Sequence, residues 1–470
     1  MRVNAMEKFS IEKKYIYISL VFGLLFVFIV PPFQSPDEDS HFKKEYQVSK
    51  GHLYPSIRKN VAGNYFPKEM LNYISEKTKY IGNRDKKYKY SEMVLDQYTK
   101  LNYDEQKFAT YSTVSISPIA YIIPASGMIF SKICAKIFDL ESVNTGYLLY
   151  FARVFSLLFC ISIFYLSIKI TPIFKRTFAI FCLNPMVIFL SSVVSYDNLL
   201  IALSTLAFAI ILKIIYDDKL KKVTNKYIIP LIIIGIVLLN VKMIYFILYL
   251  LLFLIPVKKI GNKRDYFKIA IIMIGIILGG TLLLKIPTLF NKLPVSDNYA
   301  SKQINFIIEN PIKYLSILFN NVVDQRYFQL SSMVGIFGLI DTYNPFFIIC
   351  LTYFWAILVA LADGTIDSIK LNNKFKIVLI IYSLLIIIAV FSALYITWTP
   401  LVNGHKIGTD QISGVQGRYF IPIIIPILLL FSNSKIKKYK FLNIIRENSF
   451  LPFIGILVIS SVTILLRYWA

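Results

Sequence analysis

Apolar runs of bilayer-spanning length recur along this chain from residue 15 almost to its end, and no other feature narrows its fold as much. A transmembrane helix needs about 20 predominantly apolar residues to cross a hydrocarbon core roughly 30 Å thick. The first run is YIYISLVFGLLFVFIV at 15–30. A backbone in lipid must satisfy its own hydrogen bonds, so repeated runs of this kind form helices. Charge is correspondingly thin. Of the 470 residues 17% are charged and 56% hydrophobic, where soluble domains carry roughly a quarter charged. The expectation is an all-α polytopic membrane protein, one integral membrane domain over residues 1–470.

The placing of lysine and arginine sets the number and direction of the crossings. Spans are predicted at 15–32, 147–168, 177–194, 198–216, 227–241, 243–257, 267–287, 346–362, 375–396, 418–431 and 449–467. A further segment, STVSISPIAYIIPASGMIFSKI at 112–133, is long enough to cross but carries five serines and two prolines. If it stays out of the bilayer, the basic loops KITPIFKRT, DDKLKKVTNK, VKKIGNKRDYFK, KLNNKFK and SNSKIKKYKFLNIIREN all share the side of the basic N-terminus. Lys and Arg concentrate in cytoplasmic loops. If it crosses, every later basic loop flips to the outside. The prediction is therefore eleven spans in the cell membrane, with 112–133 a re-entrant or surface-lying helix, the N-terminus cytoplasmic and the C-terminus outside. Two large extracytoplasmic loops result, at 33–146 and 288–345. The net charge of +24 sits in the short basic loops; the expected partner surface is a lipid bilayer, with no nucleic acid.

Cys134, Cys160, Cys182 and Cys350 stand singly in or beside apolar runs, which supports neither a disulfide framework nor a thiolate zinc site. The histidines His41, His52 and His405 are scattered. The first apolar run ends in Pro-Pro-Phe without a small-residue cleavage site, so it reads as an uncleaved anchor.

Three features on the outer side bear chemistry. In QSPDEDSHF, Ser35, Pro36 and Glu38 fit a capping box with proline at the first helical position. A cap needs one acid, and this turn has three. Asp37 and His41, spaced i, i+4, share a helix face at the mouth of the first span. A carboxylate beside histidine at a partly dehydrated boundary is a candidate general base. In SSVVSYDNLL, Ser195 or Asp197 can cap the next helix, yet the span count puts Asp197 on the same face as Asp37. In SGVQGRYFIPIIIP, Arg418 stands where the chain re-enters the bilayer, after Gly414 and Gly417, with Gln416 two residues before it and Tyr419 next to it. It can snorkel to headgroups or hold a phosphate in its bidentate fork. Lys242 and Arg153 are further cations near the outer boundary. Asp341, in VGIFGLIDTYNP, reads either as a turn and helix cap or as part of the site. Ion-coupled transporters bury ionisable groups at midplane, and here they lie at one surface.

These motifs carry a resemblance. PPFQSPDEDSHF, SVVSYDN, LNVKMIYFILYLLLFLIP, GIFGLIDTYNP and GVQGRYFIPI occur in this order, and the chain resembles the DUF2142 family of bacterial membrane proteins over nearly its full length. That family is similar to the GT-C superfamily of integral membrane glycosyltransferases. The resemblance implies a GT-C-like fold with surface helices in the first outer loop, and transfer of a sugar from a polyprenyl-phosphate carrier to a cell-surface or cell-wall glycan acceptor. It maps the first-loop acid to Asp37, with Glu38 as the fallback, in the implied role of catalytic base, and the second-loop acid to Asp197, which would orient the acceptor or hold a divalent cation (Mg or Mn) where one is used. His41, Arg418, Lys242, Arg153, Tyr419, Gln416 and Asp341 are the candidate substrate-binding residues. Two alternatives stay open: a polymerase or ligase using lipid-linked oligosaccharide, and a non-catalytic component that translocates or scaffolds lipid-linked glycans.

Overall fold

The computed structural model describes residues 9–89, 91–92, 100–138, 143–290, 298–364, 371–402, 406–433 and 439–469. His405 and the loop lysines Lys370, Lys435, Lys437 and Lys438 lie outside the described residues.

The chain opens with α1 (Ile11–Ile29), capped by Ser10. It then builds a cap of α2 (Glu38–Ser49), the strands β1 (Ser56–Arg58) and β2 (Val61–Pro67), α3 (Lys68–Lys77) and β3 (Gln106–Ala109). The strands form one antiparallel sheet in the order β1-β2-β3, with Ser56 opposite Gly63 and Asn64 opposite Ala109. The cap has its own apolar core, in which Phe33, Phe42, Phe66, Met70 and Tyr73 pack on Leu148 and Leu149. Next come α4 (Ile122–Ile137), α5 (Thr145–Ile170), α6 (Lys175–Cys182), α7 (Pro185–Ser191), α8 (Tyr196–Tyr216) and α9 (Asn225–Val241). A 3-10 segment, Met243–Leu254, leads to α10 (Lys263–Phe290). A second elaboration holds α11 (Tyr299–Glu309), α12 (Pro311–Asp324), α13 (Arg326–Ser332) and a hairpin of β4 (Ile336–Phe337) with β5 (Thr342–Tyr343). The chain finishes with α14 (Phe346–Asp363), α15 (Asn373–Thr397), a 3-10 turn Gly417–Ile423 running into α16 (Ile424–Leu430), α17 (Phe441–Glu447) and α18 (Leu451–Tyr468).

The molecule is thus mostly helical, with two small sheets. Among the described residues seven helices are long and apolar enough to cross a membrane: Pro118–Ile137, α5, α8, Lys263–Ile286, α14, Asn373–Leu401 and α18. Each of the eleven segments predicted to span falls on helix. Five lie outside these seven for local reasons. The first helix carries Glu12, Lys13 and Lys14 in its first turn. A break at Asn184, which caps the following Pro185, divides α6 from α7. The other three are short: α9, with Pro230 inside it, Met243–Leu254 and Gly417–Leu430.

Contacts order the two ends. Lys175 pairs with Glu12 at 2.9 Å, Arg176 with Asp363 at 3.7 Å, and Arg176 Nε donates to the Arg446 carbonyl. Lys376 donates to the Ser432 carbonyl, and Tyr216 meets the Phe375 ring. Lys259 donates to the Asp217 carbonyl. The described parts of the five basic loops therefore gather at one end. At the other end Val194 N–H donates to Glu38 and Trp469 Nε1 to the Ile29 carbonyl. The segment at 112–133 is helical from Pro118, and its length alone would allow a crossing. Its contacts lie along the first half of α5, where Phe130 packs on Phe151 and Phe155 and Gly127 abuts the Phe151 carbonyl.

Candidate active site

Pro31 and Pro32 end α1 by removing the N–H groups that would bond the Val27 and Phe28 carbonyls. The chain then turns through two left-handed residues, Phe33 (φ 62°) and Asp37 (φ 57°), a conformation that costs about 1–2 kcal/mol per residue and that aspartate tolerates better than most. The predicted capping box is not formed. Helix α2 starts at Glu38 with Asp37 at the cap position, no side chain caps it, and Ser35 Oγ is buried without a partner. The kink directs the three acids to different places.

Glu38 turns inward and Arg153 meets it. Both are 0% exposed, with Nη2 to Oε2 at 2.7 Å and Nε to Oε1 at 2.8 Å. The remaining Arg153 donors go to the carbonyls of Val27, Val30 and Pro31. A guanidinium has five N–H donors, and here all five are used. Two expectations are corrected. Arg153 has no donor left for a phosphate, and Glu38 is a structural counter-ion rather than a reserve base. Asp341 is corrected too: it pairs with Arg467 at 2.6 Å and accepts from Tyr468 and Thr342, which ties the β4–β5 hairpin to α18 and leaves no free acid.

The other candidates converge. Arg418, 7% exposed, places Nε 3.2 Å from Asp197 and Nη2 3.5 Å from Asp37. Its Nη2 also donates to Tyr419 Oη at 3.2 Å, while Nη1 is buried without a hydrogen-bond partner and Nε, also buried, meets Asp197 as an ion pair and not in hydrogen-bond geometry. Asp197 is 6% exposed and Asp37 is 53% exposed, so one acid anchors the arginine and the other faces solvent. Lys242 lies over the Tyr419 ring at 3.6 Å, a cation–π contact, with Tyr196 and Tyr245 further off. Tyr245 Oη donates to the Tyr419 carbonyl and fixes the turn that carries Arg418. Gln416 and Arg418 line a small cavity together with Pro36, Ser332 and Gly338.

His41 backs this cluster. Its Nδ1 lies 2.9 Å from Tyr121 Oη, and its ring meets Tyr196 edge-on at 4.9 Å. Burial pushes the imidazole down to about 4, against the pull of the Asp37 and Asp197 carboxylates and with the help of Arg418. It is therefore neutral at pH 7. Tyr121 and Tyr196 were not singled out from the sequence, because a buried aromatic beside a span carries no local mark of a site.

Among the described residues no three of His, Cys, Asp and Glu converge as a metal set. Arg418 already bridges the two carboxylates that a divalent cation would need, so these residues fit a guanidinium better than a resident metal. The four cysteines are free.

No match was found among curated proteins or solved structures. One family model does match, described as "Predicted membrane protein (DUF2142)", over residues 20–427. That stretch holds the second half of α1, the cap, and Asp37, Asp197 and Arg418 alike, and on this match the chain belongs to the DUF2142 family of predicted membrane proteins.

Proposed function

We propose that the protein is a glycosyltransferase of GT-C type that moves a sugar from a polyprenyl-phosphate carrier to a cell-surface or cell-wall glycan. One observation carries this reading: a buried arginine with an unpartnered Nη1, held between acids 160 residues apart in sequence, one anchored and one open to solvent. A departing phosphate needs a desolvated cation positioned beforehand, and an acceptor hydroxyl needs a reachable base.

In the proposed step Asp37 takes the proton of the acceptor hydroxyl. The acceptor oxygen forms a bond to the anomeric carbon as the bond from that carbon to the phosphate oxygen breaks. The electron pair leaves with the polyprenyl phosphate, whose charge is met by Arg418 and Lys242. A single displacement inverts the anomeric configuration. Asp197 acts through Arg418, holding the guanidinium toward the donor; Gln416 and Tyr419 shape the cavity around it. On this reading the chain crosses the membrane eleven times, and the basic end is cytoplasmic by the positive-inside rule.

The test uses purified protein in nanodiscs, polyprenyl-phosphate hexoses as donors and envelope glycan as acceptor. Transfer is expected with the wild type and falls roughly 100-fold or more in Asp37→Asn without loss of folding. A folded Asp37→Asn protein that transfers at the wild-type rate removes the base. Lipid flipping without transfer returns the protein to the scaffold class.

A further inference from the structure

Helix α2 carries a second buried cation that the transfer step does not use. Lys44 stands one turn beyond His41 and is 1% exposed. Its ammonium donates to a single acceptor, the Val114 carbonyl at 3.1 Å, although an ammonium has three donors. Burial alone pushes it down to about 8, with no carboxylate contributing. A buried ammonium this poorly satisfied is costly in a free-standing fold.

A cavity of about 140 Å³ lies beside it. Its polar lining is Lys44, Tyr54, Ser115, Ser117, Asn240 and Lys285, with no acidic side chain among the residues that line it. The hydroxyls of Ser115 and Ser117 have no protein partner among the described residues. Tyr54 Oη donates to the Leu284 carbonyl across the mouth. Leu284 belongs to the stretch of α10 whose neighbours Leu282 and Leu283 are 65% and 67% exposed, which puts the mouth beside a lipid-facing surface. Ser117 leads into the turn that carries Tyr121, the partner of His41. The turn after Ser117 thus links the cavity lining to His41, which backs the Arg418 site.

We propose that this cavity is an anion subsite for a phosphate group presented at the lipid–water boundary. Two ammoniums and the Ser115 and Ser117 hydroxyls, with no carboxylate among the residues that line the cavity, supply donors to a group whose oxygens only accept. The Arg418 site takes one phosphate and this one takes another. On the transfer reading the acceptor, like the donor, is then a phosphate-bearing molecule, while the binding claim itself does not depend on transfer.

The experiment counts phosphate sites. Full-length protein in phosphatidylcholine nanodiscs is titrated with radiolabelled farnesyl phosphate and, separately, with inorganic phosphate. Two equivalents of farnesyl phosphate are expected to bind. Lys44→Gln and Lys285→Gln each weaken one equivalent at least tenfold, and Arg418→Gln removes the other. If inorganic phosphate fills the Lys44 site equally well, the subsite stands and its ligand is soluble rather than lipid-borne. Folded Lys44→Gln and Lys285→Gln proteins with the wild-type isotherm overturn the proposal, as does failure of both probes to bind. If Lys44→Gln does not fold, the rim variant Lys285→Gln decides. Asp37→Asn lowers transfer roughly 100-fold or more on the reading above and leaves this count unchanged, so the two ideas fail separately.

Discussion

Glu38 stands next to Asp37 in the chain, yet its carboxylate has a different task. The Arg153–Glu38 pair closes the end of α1: the proline at 31 cannot donate to the Val27 carbonyl, and the arginine does so in its place at 3.1 Å. Breaking a fully buried ion pair by removing one partner leaves a charge without compensation, which costs about 3–5 kcal/mol. Glu38→Gln is therefore expected to lower the thermal stability of the detergent-solubilised protein by several kcal/mol, while Asp37→Asn, at a half-exposed position, changes it little. Equal unfolding temperatures for the two variants would mean that Glu38 is no counter-ion. The sequence marked the seven residues that do converge (Asp37, His41, Asp197, Lys242, Gln416, Arg418 and Tyr419) because each stands near a helix end on one side of the bundle. It marked Arg153, Glu38 and Asp341 by the same sign and put them in the site wrongly. Charge at a boundary shows depth in the membrane; it does not show which neighbour has already taken the charge.

Between residues and bundle, the element that sets the site is a strap over 408–417 that ends on Arg418. It runs beside α12 and α13, which hold it with amide side chains spaced by four residues. Asn321 donates to the Asp410 carbonyl at 2.7 Å and accepts from Ile412 N–H at 2.8 Å. Gln325 donates to the Ile412 carbonyl and Gln329 to the Val415 carbonyl. Ser332 Oγ then accepts from Gly417 N–H at 2.8 Å, and any side chain at 417 would run into the Gln329 carbonyl. These bonds supply an irregular segment with the partners that a helix or sheet would otherwise provide. Asn321→Ala leaves two backbone groups unpaired and is expected to cost about 1–3 kcal/mol, with transfer falling more than stability because the strap carries Arg418. Unchanged unfolding temperature and unchanged transfer would show that the strap is positioned by something else. None of this was legible beforehand. A polar stripe at i, i+4, i+8 on a helix reads as a solvated face until the loop it serves is known, whereas Gly417 was noted only for standing before the arginine.

At the scale of the whole molecule the question is which end faces the cell exterior. The helical, membrane-embedded character was legible because lipid leaves the backbone few alternatives, whereas the crossing order is a proposal that rests on the placing of lysine. In the structure the described basic loops meet at one end and the acid–arginine cluster lies at the other. Both Asp37 and Asp197 reach Arg418, so an even number of crossings separates them. On the proposed crossing order helix α5 and the broken pair α6–α7 supply two, and α4 adds none. The positive-inside rule assigns the basic end to the cytoplasm, which gives a direct prediction for intact cells. With Cys134 and Cys350 replaced by serine, a membrane-impermeant thiol reagent is expected to label Lys59→Cys, exposed in the cap, and to spare Lys221→Cys, exposed in a basic loop. Permeabilised cells label both. The reverse pattern would put Asp37 and Arg418 in the cytoplasm, where an extracytoplasmic glycan cannot reach them. Labelling of both positions in intact cells would mean that the two ends are not separated by a sealed bilayer, and the crossing order itself would fall.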